Sequence, residues 1–330
     1  MAIFVRKILT MKYHIATLFS LFPLFGWSQP PTSHPSPPAY RLVRQRFHRE
    51  IPAGNYSGIC PIGNDRYAVV DDKAPEDGFH VFRIGIDSVK GRITDIENEG
   101  YRSSGLPNRD MEGICFCPTT QTVFISGEDD NEVYEYRLDG QRTGRQLAMP
   151  PEFKKASQNF GLEALTYDNS RHLFITTSEQ PLPGDTLLRI QTFGDDLQPR
   201  EQYLYRPDEP DMGKKGKRTQ GYHGVSGMCA LADGRLLVME RQIRVPRMKI
   251  GARVVTRIYE VVLTPNGEAS QTVLKKRLVK EIKTRLTLTG RRFANCEGIC
   301  EPWPGLLLIV ADSQNRFRGV LRDWFLLLRL

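Results

Sequence analysis

The sequence predicts an all-β fold, a β-propeller of five blades, and three observations support this prediction. A unit of short apolar strands recurs five times, and each copy starts at a Ser or Glu anchor followed by Gly or Ala. A second anchor follows the first by 14 to 16 residues in every copy. Successive first anchors lie 51 to 71 residues apart, about the size of one four-stranded blade with its loops. Six blades remain an alternative if the longer segments hide a degenerate copy.

The clearest copy spans residues 108–140. An apolar strand starts at Glu112, and a second strand, 122–126, leads to Glu128. A third strand, 132–138, alternates apolar and polar residues and stops at an Asp-Gly turn signal. This pattern is typical of successive antiparallel strands joined by tight turns.

The two ends of the chain predict how the ring closes. The chain stops after what reads as only the third strand of the last blade, near Trp324–Leu330. A spare alternating segment, Tyr40–Ile51, precedes the first anchor. Pairing the two would complete the last blade and cover both strand edges. The domain prediction is therefore a single propeller over residues 40–330.

The first 39 residues are predicted to lie outside the propeller. Residues 1–28 have a basic start and an apolar run too short to span a bilayer comfortably, which indicates a signal peptide cleaved before Gln29. An uncleaved anchor is the alternative. Residues 29–39 form a proline-rich linker. The expected localisation is periplasmic or secreted, with no stable membrane span after cleavage.

The net charge argues against nucleic-acid binding, and the cysteine pattern argues against a zinc site. The formal net charge of the 330-residue chain is +8, and it falls to +5 without the leader. This mild excess suits a small anionic ligand or a membrane surface, but by itself it is no nucleic-acid footprint. Zinc is not expected, because no second CxxC pair or nearby His accompanies the six cysteines. Four of them recur two residues after the glycine of the repeat, which favours packing between blades; pairing of Cys296 with Cys300 is the alternative.

Repeat-equivalent anchors predict two rings at one mouth of the central channel, because the first strand of each propeller blade lines that channel. The first-anchor ring holds Ser57, Glu112, Glu163, Ser226 and Glu297, and the second-anchor ring holds Asp72, Glu128, Glu179, Glu240 and Asp312. Converging carboxylates repel one another, so they persist only if they are protonated, paired with cations or bound to a metal. The alternative is a structural ring that accepts hydrogen bonds from neighbouring backbone N–H groups.

The rings suggest roles for named side chains. Glu112, Glu163, Glu297 and Arg241 are candidate catalytic residues. The second ring supplies candidate metal ligands, and ligands that are all oxygen favour Ca²⁺. Lys73, Arg109 and His223 are candidate substrate-binding residues, although a plain loop histidine is the alternative for His223. The substrate would be a small anionic or ester compound; the oligomeric state is open.

Other sequence signals are weaker. Ser226 misses the GxSxG nucleophile elbow, and HExxH, Walker A and GxGxxG motifs are absent. Two inserts, Asp208–Tyr222 and Arg241–Arg253, are predicted to be long loops on one face, where they would carry binding or serve as solvated connections.

Four blocks of the sequence match a known family in order. They are DMEGICF with TVFISGEDDNEVYEYRLDG, NFGLEALTYDNSRHLFITTSEQPL, GRLLVMERQ and NCEGICEPWPGLLLIVADSQNR. Together they resemble the phytase-like family named for an "esterase-like activity of phytase", over about residues 50–330. The family is also similar to SdiA-regulated propellers and, more remotely, to calcium-dependent propeller phytases.

The resemblance implies an exported bacterial propeller with a hydrolytic, phosphoester-directed activity. It marks the matching residues Glu112, Glu163, Glu179, Glu240, Arg241, Glu297 and Asp312. Two functions follow as hypotheses. One is metal-assisted hydrolysis of phosphoesters or carboxylic esters, and the other is non-catalytic binding of a ligand or protein in the periplasm.

Overall fold

Antiparallel hairpins dominate the protein, as the alternating strands and polar turns require. The computed structural model describes residues 42–44, 50–157, 159–210, 219–246, 251–264, 273–286, 291–292, 294–312 and 324–330. In these residues the only helical element is a single 3₁₀ turn, Phe153–Lys155, and no helix is long and apolar enough to span a membrane. The predicted signal peptide and linker lie outside the described residues.

The strands form five sheets, each of which is one blade. The strands are β1 (Leu42–Arg44); β2 (Tyr56–Gly63), β3 (Arg66–Asp71), β4 (Glu76–Asp87) and β5 (Arg92–Pro107) of blade 1; β6 (Met111–Cys117), β7 (Thr122–Gly127), β8 (Glu132–Tyr136) and β9 (Arg142–Gln146) of blade 2; β10 (Leu162–Asp168), β11 (Leu173–Ser178), β12 (Leu188–Gly194) and β13 (Pro199–Tyr205) of blade 3; β14 (Thr219–Ala230), β15 (Leu236–Pro246), β16 (Arg253–Val261), β17 (Lys276–Leu286) and β18 (Arg291–Arg292) of blade 4; and β19 (Asn295–Trp303), β20 (Leu306–Asp312) and β21 (Trp324–Arg329) of blade 5.

Each blade follows chain order from its inner strand outward, except the last. The inner strands β2, β6, β10, β14 and β19 touch one another in a closed ring of five. The described residues therefore confirm the five-bladed prediction.

The N-terminal strand closes the ring. Blade 5 has the order β1-β21-β20-β19, and β1 pairs antiparallel with β21 through Val43 opposite Leu327. This pairing confirms the predicted closure. Residues 40–41 and 45–49 of the predicted segment lie outside the described residues.

The apolar core is divided among the five contacts between neighbouring blades. One buried cluster lies at each contact; the cluster between blades 1 and 5 contains Phe82 and Phe325, whose rings meet edge to face at 6.1 Å between centroids. All six cysteines are buried in these clusters, and none of them forms a disulfide. This confirms the packing interpretation, and the alternative pairing of Cys296 with Cys300 does not occur.

The basic insert does not form the predicted loop. Arg241 to Pro246 extends β15, and Arg253 begins β16, so most of the segment prolongs a hairpin of blade 4. Likewise Thr219–Tyr222 belongs to β14. Alternating side chains such as Ile243 and Val245 pack on a small outer cluster with Val254, which explains why the segment pairs as strands. Residues 211–218 and 247–250 lie outside the described residues.

Candidate functional site

Every first anchor lies at a β-bulge of an inner strand. The inner strand carries one extra residue relative to the second strand at Tyr56/Gly58, Met111/Ile114, Leu162/Ala164, Val225/Gly227 and Cys296/Gly298. A bulge turns one side chain away from the regular alternation, which directs the anchor toward the channel. The glycine that follows is required by crowding: a Cβ on Gly113 would lie 2.6 Å from the backbone nitrogen of Leu165 in the next blade.

The two serine anchors join neighbouring inner strands. The Ser57 hydroxyl donates to the carbonyl of Met111 at 2.7 Å, and the Ser226 hydroxyl donates to the carbonyl of Cys296 at 3.1 Å. Both serines are buried. These two members of the predicted ring therefore hold blades together.

Arg241 occupies the centre of the acidic ring. Its Nη2 lies 3.1 Å from Oε1 of Glu163 and 3.0 Å from Oε1 of Glu179, and its Nη1 contacts Oε1 of Glu297. The carboxylates come from blades 3 and 5, whereas Arg241 comes from blade 4. Although burial lowers the pKa of this guanidinium, Glu179 and Glu163 raise it further, so it stays charged. One cation thus links three blades.

Arg241, and not Glu240, is the blade 4 member of the second ring. In the other blades the second anchor lies opposite the residue that is two positions before the first anchor. The backbone N–H of Glu179 donates to the carbonyl of Gly161, and Asp312 is the strand-register partner of Asn295. In blade 4 that partner, Gly224, faces Arg241. The prediction that placed Glu240 in the ring is wrong by one residue, because the bulge sets the register and successive strand residues face opposite sides.

Glu240 instead joins an ionic network at the contact of blades 3 and 4. Its Oε1 accepts hydrogen bonds from the Tyr205 hydroxyl at 2.5 Å and from Lys276 Nζ at 2.6 Å. Its Oε2 accepts from the backbone N–H of Asp208 at 2.9 Å. These contacts fully engage Glu240 in structure.

Of the three glutamates in the first-anchor ring, Glu112 is the one with no cation in contact among the described residues. It is 7% exposed, and its carboxyl makes no hydrogen bond or ion pair with any of the residues that the structure describes. Burial, together with the nearby Glu163 and Asp72 carboxylates, raises its pKa well above the usual range. The pKa of Glu163 is also raised well above the usual range, again by burial first, although Arg241 opposes the shift.

Asp72, Asp110 and Glu112 form the tightest carboxylate cluster. One oxygen from each lies within 4.8 Å of the others, and Oδ1 of Asp72 is buried without a hydrogen-bond partner. Lys73 lies at the edge of this cluster, with Nζ 3.1 Å from Oδ2 of Asp72 and in contact with Asp110. Burial raises the pKa of Asp72 to about 6, and Lys73 limits the rise.

Glu128 lies at the same mouth of the channel. We call it the acidic mouth because it holds the carboxyls of Asp72, Asp110, Glu112, Glu128, Glu163, Glu179 and Glu297. Its side chain is half-buried, and Oε1 accepts the backbone N–H of Gly161 at 2.9 Å. Burial raises its pKa to about 7 in spite of that hydrogen bond. On the far side of the ring, Asn295 donates from Nδ2 to Oε1 of Glu297 at 2.6 Å and to Oδ2 of Asp312 at 3.5 Å.

A family model matches most of the chain. The model is "Phytase-like: Esterase-like activity of phytase", and it matches residues 51–312, which hold all five inner strands. The chain belongs to the phytase-like family.

Solved structures similar to this phytase-like protein share only low sequence identity with it. A streptogramin B lyase is 12% identical, with a TM-score of 0.41, over 88% of this chain and 98% of its own. A protein of unknown function from Bacteroides thetaiotaomicron is 12% identical, with a TM-score of 0.40, over 88% of this chain and 76% of its own. A β-propeller domain of Cps50 (Swd1) from Myceliophteria_thermophila is 9% identical, with a TM-score of 0.38, over 87% and 100%. A search of curated proteins gave no match.

One predicted substrate-binding residue, Arg109, does not reach the acidic mouth of this phytase-like propeller. Arg109 is 6% exposed inside blade 2, where Nη1 donates to Asp130 at 2.8 Å and to the carbonyl of Glu132 at 3.0 Å. Its guanidinium also lies over the ring of Tyr134. What the structure shows for His223 is a backbone role, because its carbonyl accepts a hydrogen bond from Gln180 at 3.1 Å.

The structure adds Asp110 and Asn295 to the site. Both lie two residues before a first anchor, opposite a second anchor. The equivalent positions in the five copies are Asn55, Asp110, Gly161, Gly224 and Asn295. All five residues are small or polar, and the position repeats as regularly as the anchors do, so the sequence carried a usable signal for it.

A waist of five apolar side chains separates the two mouths of the channel. The residues two after each first anchor form it: Ile59, Ile114, Leu165, Met228 and Ile299. The free volume beside this waist and the anchors is only about 10 Å³. This volume is too small for a small molecule to lie between the two mouths.

Proposed function

We propose that the acidic mouth binds a divalent cation that prefers oxygen ligands, Ca²⁺ being the best fit, and that the protein hydrolyses phosphoesters or carboxylic esters there. The observation that carries the proposal is Glu112, a buried carboxyl with no cation in contact among the described residues, beside the carboxyls of Asp72 and Asp110. A buried charge without a partner is costly, so a bound cation has a clear energetic reason to enter.

The local charge balance supports the proposal. Seven carboxyls gather at this mouth. Six of them act on one another through their charges: Asp72, Asp110, Glu112, Glu128, Glu163 and Glu179. The seventh, Glu297, shares Arg241 with Glu163 and Glu179. The described cations in contact with them are Arg241 and Lys73. This surplus of negative charge would repel an anionic substrate, so substrate binding needs an added positive charge.

The donor set fits a hard cation. Asp72 offers a buried oxygen without a partner, Glu112 offers an unpaired carboxyl, and Asp110 completes the group. Ca²⁺ is bound through carboxylate oxygens of this kind, whereas zinc favours thiolate and imidazole ligands. When bound, such an ion polarises an ester oxygen and makes water a stronger nucleophile.

The side chains around the cluster then have distinct roles. Glu128, with its pKa near 7, can accept or release a proton at its free Oε2 at neutral pH. Lys73 is 58% exposed at the side chain and can present its ammonium to an anionic group. Arg241 holds Glu163, Glu179 and Glu297 in place, and these carboxylates neutralise its charge.

Calorimetry and hydrolysis assays test the proposal on the mature protein. Ca²⁺ should bind, and 4-nitrophenyl phosphate, 4-nitrophenyl acetate or phytate should be hydrolysed only before a chelator is added. Glu112→Gln should weaken Ca²⁺ binding about ten-fold or more. The matched control is Glu240→Gln, which alters an equally buried carboxylate in the inter-blade network and should leave Ca²⁺ affinity unchanged. Absence of Ca²⁺ binding by the wild type would reject the proposal.

Export is part of the same proposal. The family is generally exported, and residues 1–28 have the composition of a secretory leader. Mass analysis of protein recovered from the periplasm or medium should find a chain that begins near Gln29. A full-length chain in the cytoplasm would contradict it.

A second candidate function is a non-catalytic binding propeller. The neutralised Arg241 and the closed waist favour it, because neither leaves a deep pocket for a substrate. Ca²⁺ binding that raises the melting temperature, with none of the three esters hydrolysed, would decide for this function.

A further inference from the structure

The mouth opposite the acidic ring opens into a cavity of about 390 Å³. Its floor is the other side of the apolar waist. Its wall holds residues three after each first anchor: Cys60, Cys115, Thr166, Cys229 and Cys300. Its rim includes Pro61, Phe116 and Tyr167. The volume lies within the roughly 300–1,000 Å³ that is typical of small-molecule sites.

The lining holds no cationic side chain. Glu301 is the one charged residue of the lining, and both of its oxygens are occupied: Oε2 accepts the N–H of Ala232 at 2.9 Å, and Oε1 accepts the N–H of Gly305 at 2.8 Å. Thr166 is also engaged, since its Oγ1 accepts the N–H of Ala230 at 3.0 Å. An anion would therefore meet no cationic side chain in this lining.

The thiols suit a soft, neutral ligand. Burial raises the pKa of Cys60, Cys115, Cys229 and Cys300, which keeps them as uncharged thiols. They are not gathered as a metal site, because in the described part of the chain the only group of three liganding atoms within 4.8 Å is the acidic cluster. Neutral sulfur packs favourably against aromatic rings, and the aromatic side chain of Phe116 adds to the same surface.

We propose that this cavity is a binding site for a neutral apolar small molecule with an aromatic ring. The waist separates it from the acidic mouth, so it binds independently of any cation there. This site does not depend on the proposed hydrolysis. Four soft sulfurs, an aliphatic floor and an aromatic rim select the ligand, and the lack of a cationic partner disfavours its anionic analogues.

Fluorescence titration with N-phenyl-1-naphthylamine, a neutral aromatic probe, tests the inference on the mature protein. The expected result is saturable binding of one probe per chain, unchanged by a chelator. The anionic relative 1-anilinonaphthalene-8-sulfonate should bind about ten-fold more weakly or worse, because its sulfonate would lose water without gaining a partner. Equal or tighter binding of the anionic probe, or a chelator effect on the neutral probe, would overturn the inference.

Two blocking variants locate the probe. Ala232 and Asn169 are exposed lining residues on the rims of different blades, so tryptophan can be introduced without disturbing the core. Ala232→Trp and Asn169→Trp should each weaken probe binding about ten-fold or more while leaving the melting temperature unchanged. The control is Val89→Trp, at a position that is 89% exposed and outside the lining. Wild-type affinity in either folded blocking variant, or loss of affinity in the control, contradicts the inference.

Discussion

The acidic mouth presents Glu112 and Glu297, whereas three residues further along the same strands the opposite mouth presents Cys115 and Cys300. Both mouths are built by the same five inner strands. At the acidic mouth, buried carboxylates surround Arg241. At the other mouth, uncharged cysteine thiols line a cavity of about 390 Å³. The comparison teaches that one short strand, repeated five times, can provide two chemistries. A bulge directs the anchor to one mouth, and the apolar residue two positions later separates that mouth from the other.

Removing the central cation should give the largest effect. Arg241→Met leaves Glu163, Glu179 and Glu297 buried without their counter-ion, so the free energy of unfolding should fall by about 3–5 kcal/mol near neutral pH. Urea unfolding measures it. The exposed Arg83→Met is the control, since surface ion pairs contribute little. A loss as small as that of the control would mean that the ring does not depend on Arg241.

A change in the waist should give the next largest loss of stability. Ile299→Ala removes a buried side chain that borders both, so we expect a loss of about 2–4 kcal/mol. Ca²⁺ affinity should not change, because Ile299 contributes no ligand atom. Urea unfolding and calorimetry on the same variant check both statements. A change in Ca²⁺ affinity would show that the mouths are coupled.

One substitution at each mouth should change the stability of the protein in opposite directions. Glu112→Gln relieves carboxylate repulsion, so without metal the protein should become more stable by about 1 kcal/mol near pH 8. Cys60→Ser places a hydroxyl in an apolar wall and should cost about 1–3 kcal/mol. Thermal unfolding in the presence of a chelator compares them. Destabilisation by both variants would contradict the idea that carboxylate repulsion at the acidic mouth lowers the stability of the metal-free protein.

The acidic mouth should also make stability depend on pH. The folded-state pKa of Asp72, about 6, and of Glu128, about 7, both exceed their unfolded values. Their contribution to stability is therefore fully present below the unfolded values and is lost as the pH rises through 6 and 7. Melting temperature should fall over this window in a chelator, and Ca²⁺ should restore more of it at the upper end. Glu128→Gln should flatten the upper part of the fall; an unchanged profile would exclude Glu128 as its source.

The smallest expected effect concerns Lys73. Its ammonium already contacts Asp72 and Asp110, two of the three proposed ligands, so it competes with a bound cation. Lys73→Met should tighten Ca²⁺ binding several-fold, by removing an exposed charge pair worth less than about 1 kcal/mol. Calorimetry measures this change, with Lys90→Met as a control for loss of a surface lysine. Weaker binding in Lys73→Met would mean that the ammonium supports the site and does not compete for it.

Much of the candidate site was predictable because the anchors repeat. Glu112, Glu163, Glu179, Glu297 and Arg241 were singled out from the sequence, and the structure gathers them at one mouth. Asp110 was overlooked although its position repeats as well. Arg109 could not have been placed from sequence, because its burial depends on Asp130 and Tyr134 closing around it within the folded blade.

The sequence alone determined the number of blades, the location of the inner strands and the closure of the ring by β1, because each follows from local periodicity and repeat count. The tertiary structure decided which face each anchor meets. Glu240 and Arg241 are neighbours in sequence, yet one joins Lys276 between blades and the other fills the channel. A one-residue change in strand register reverses which side a residue faces, and that register is set by a bulge and by contacts between blades that no single repeat contains.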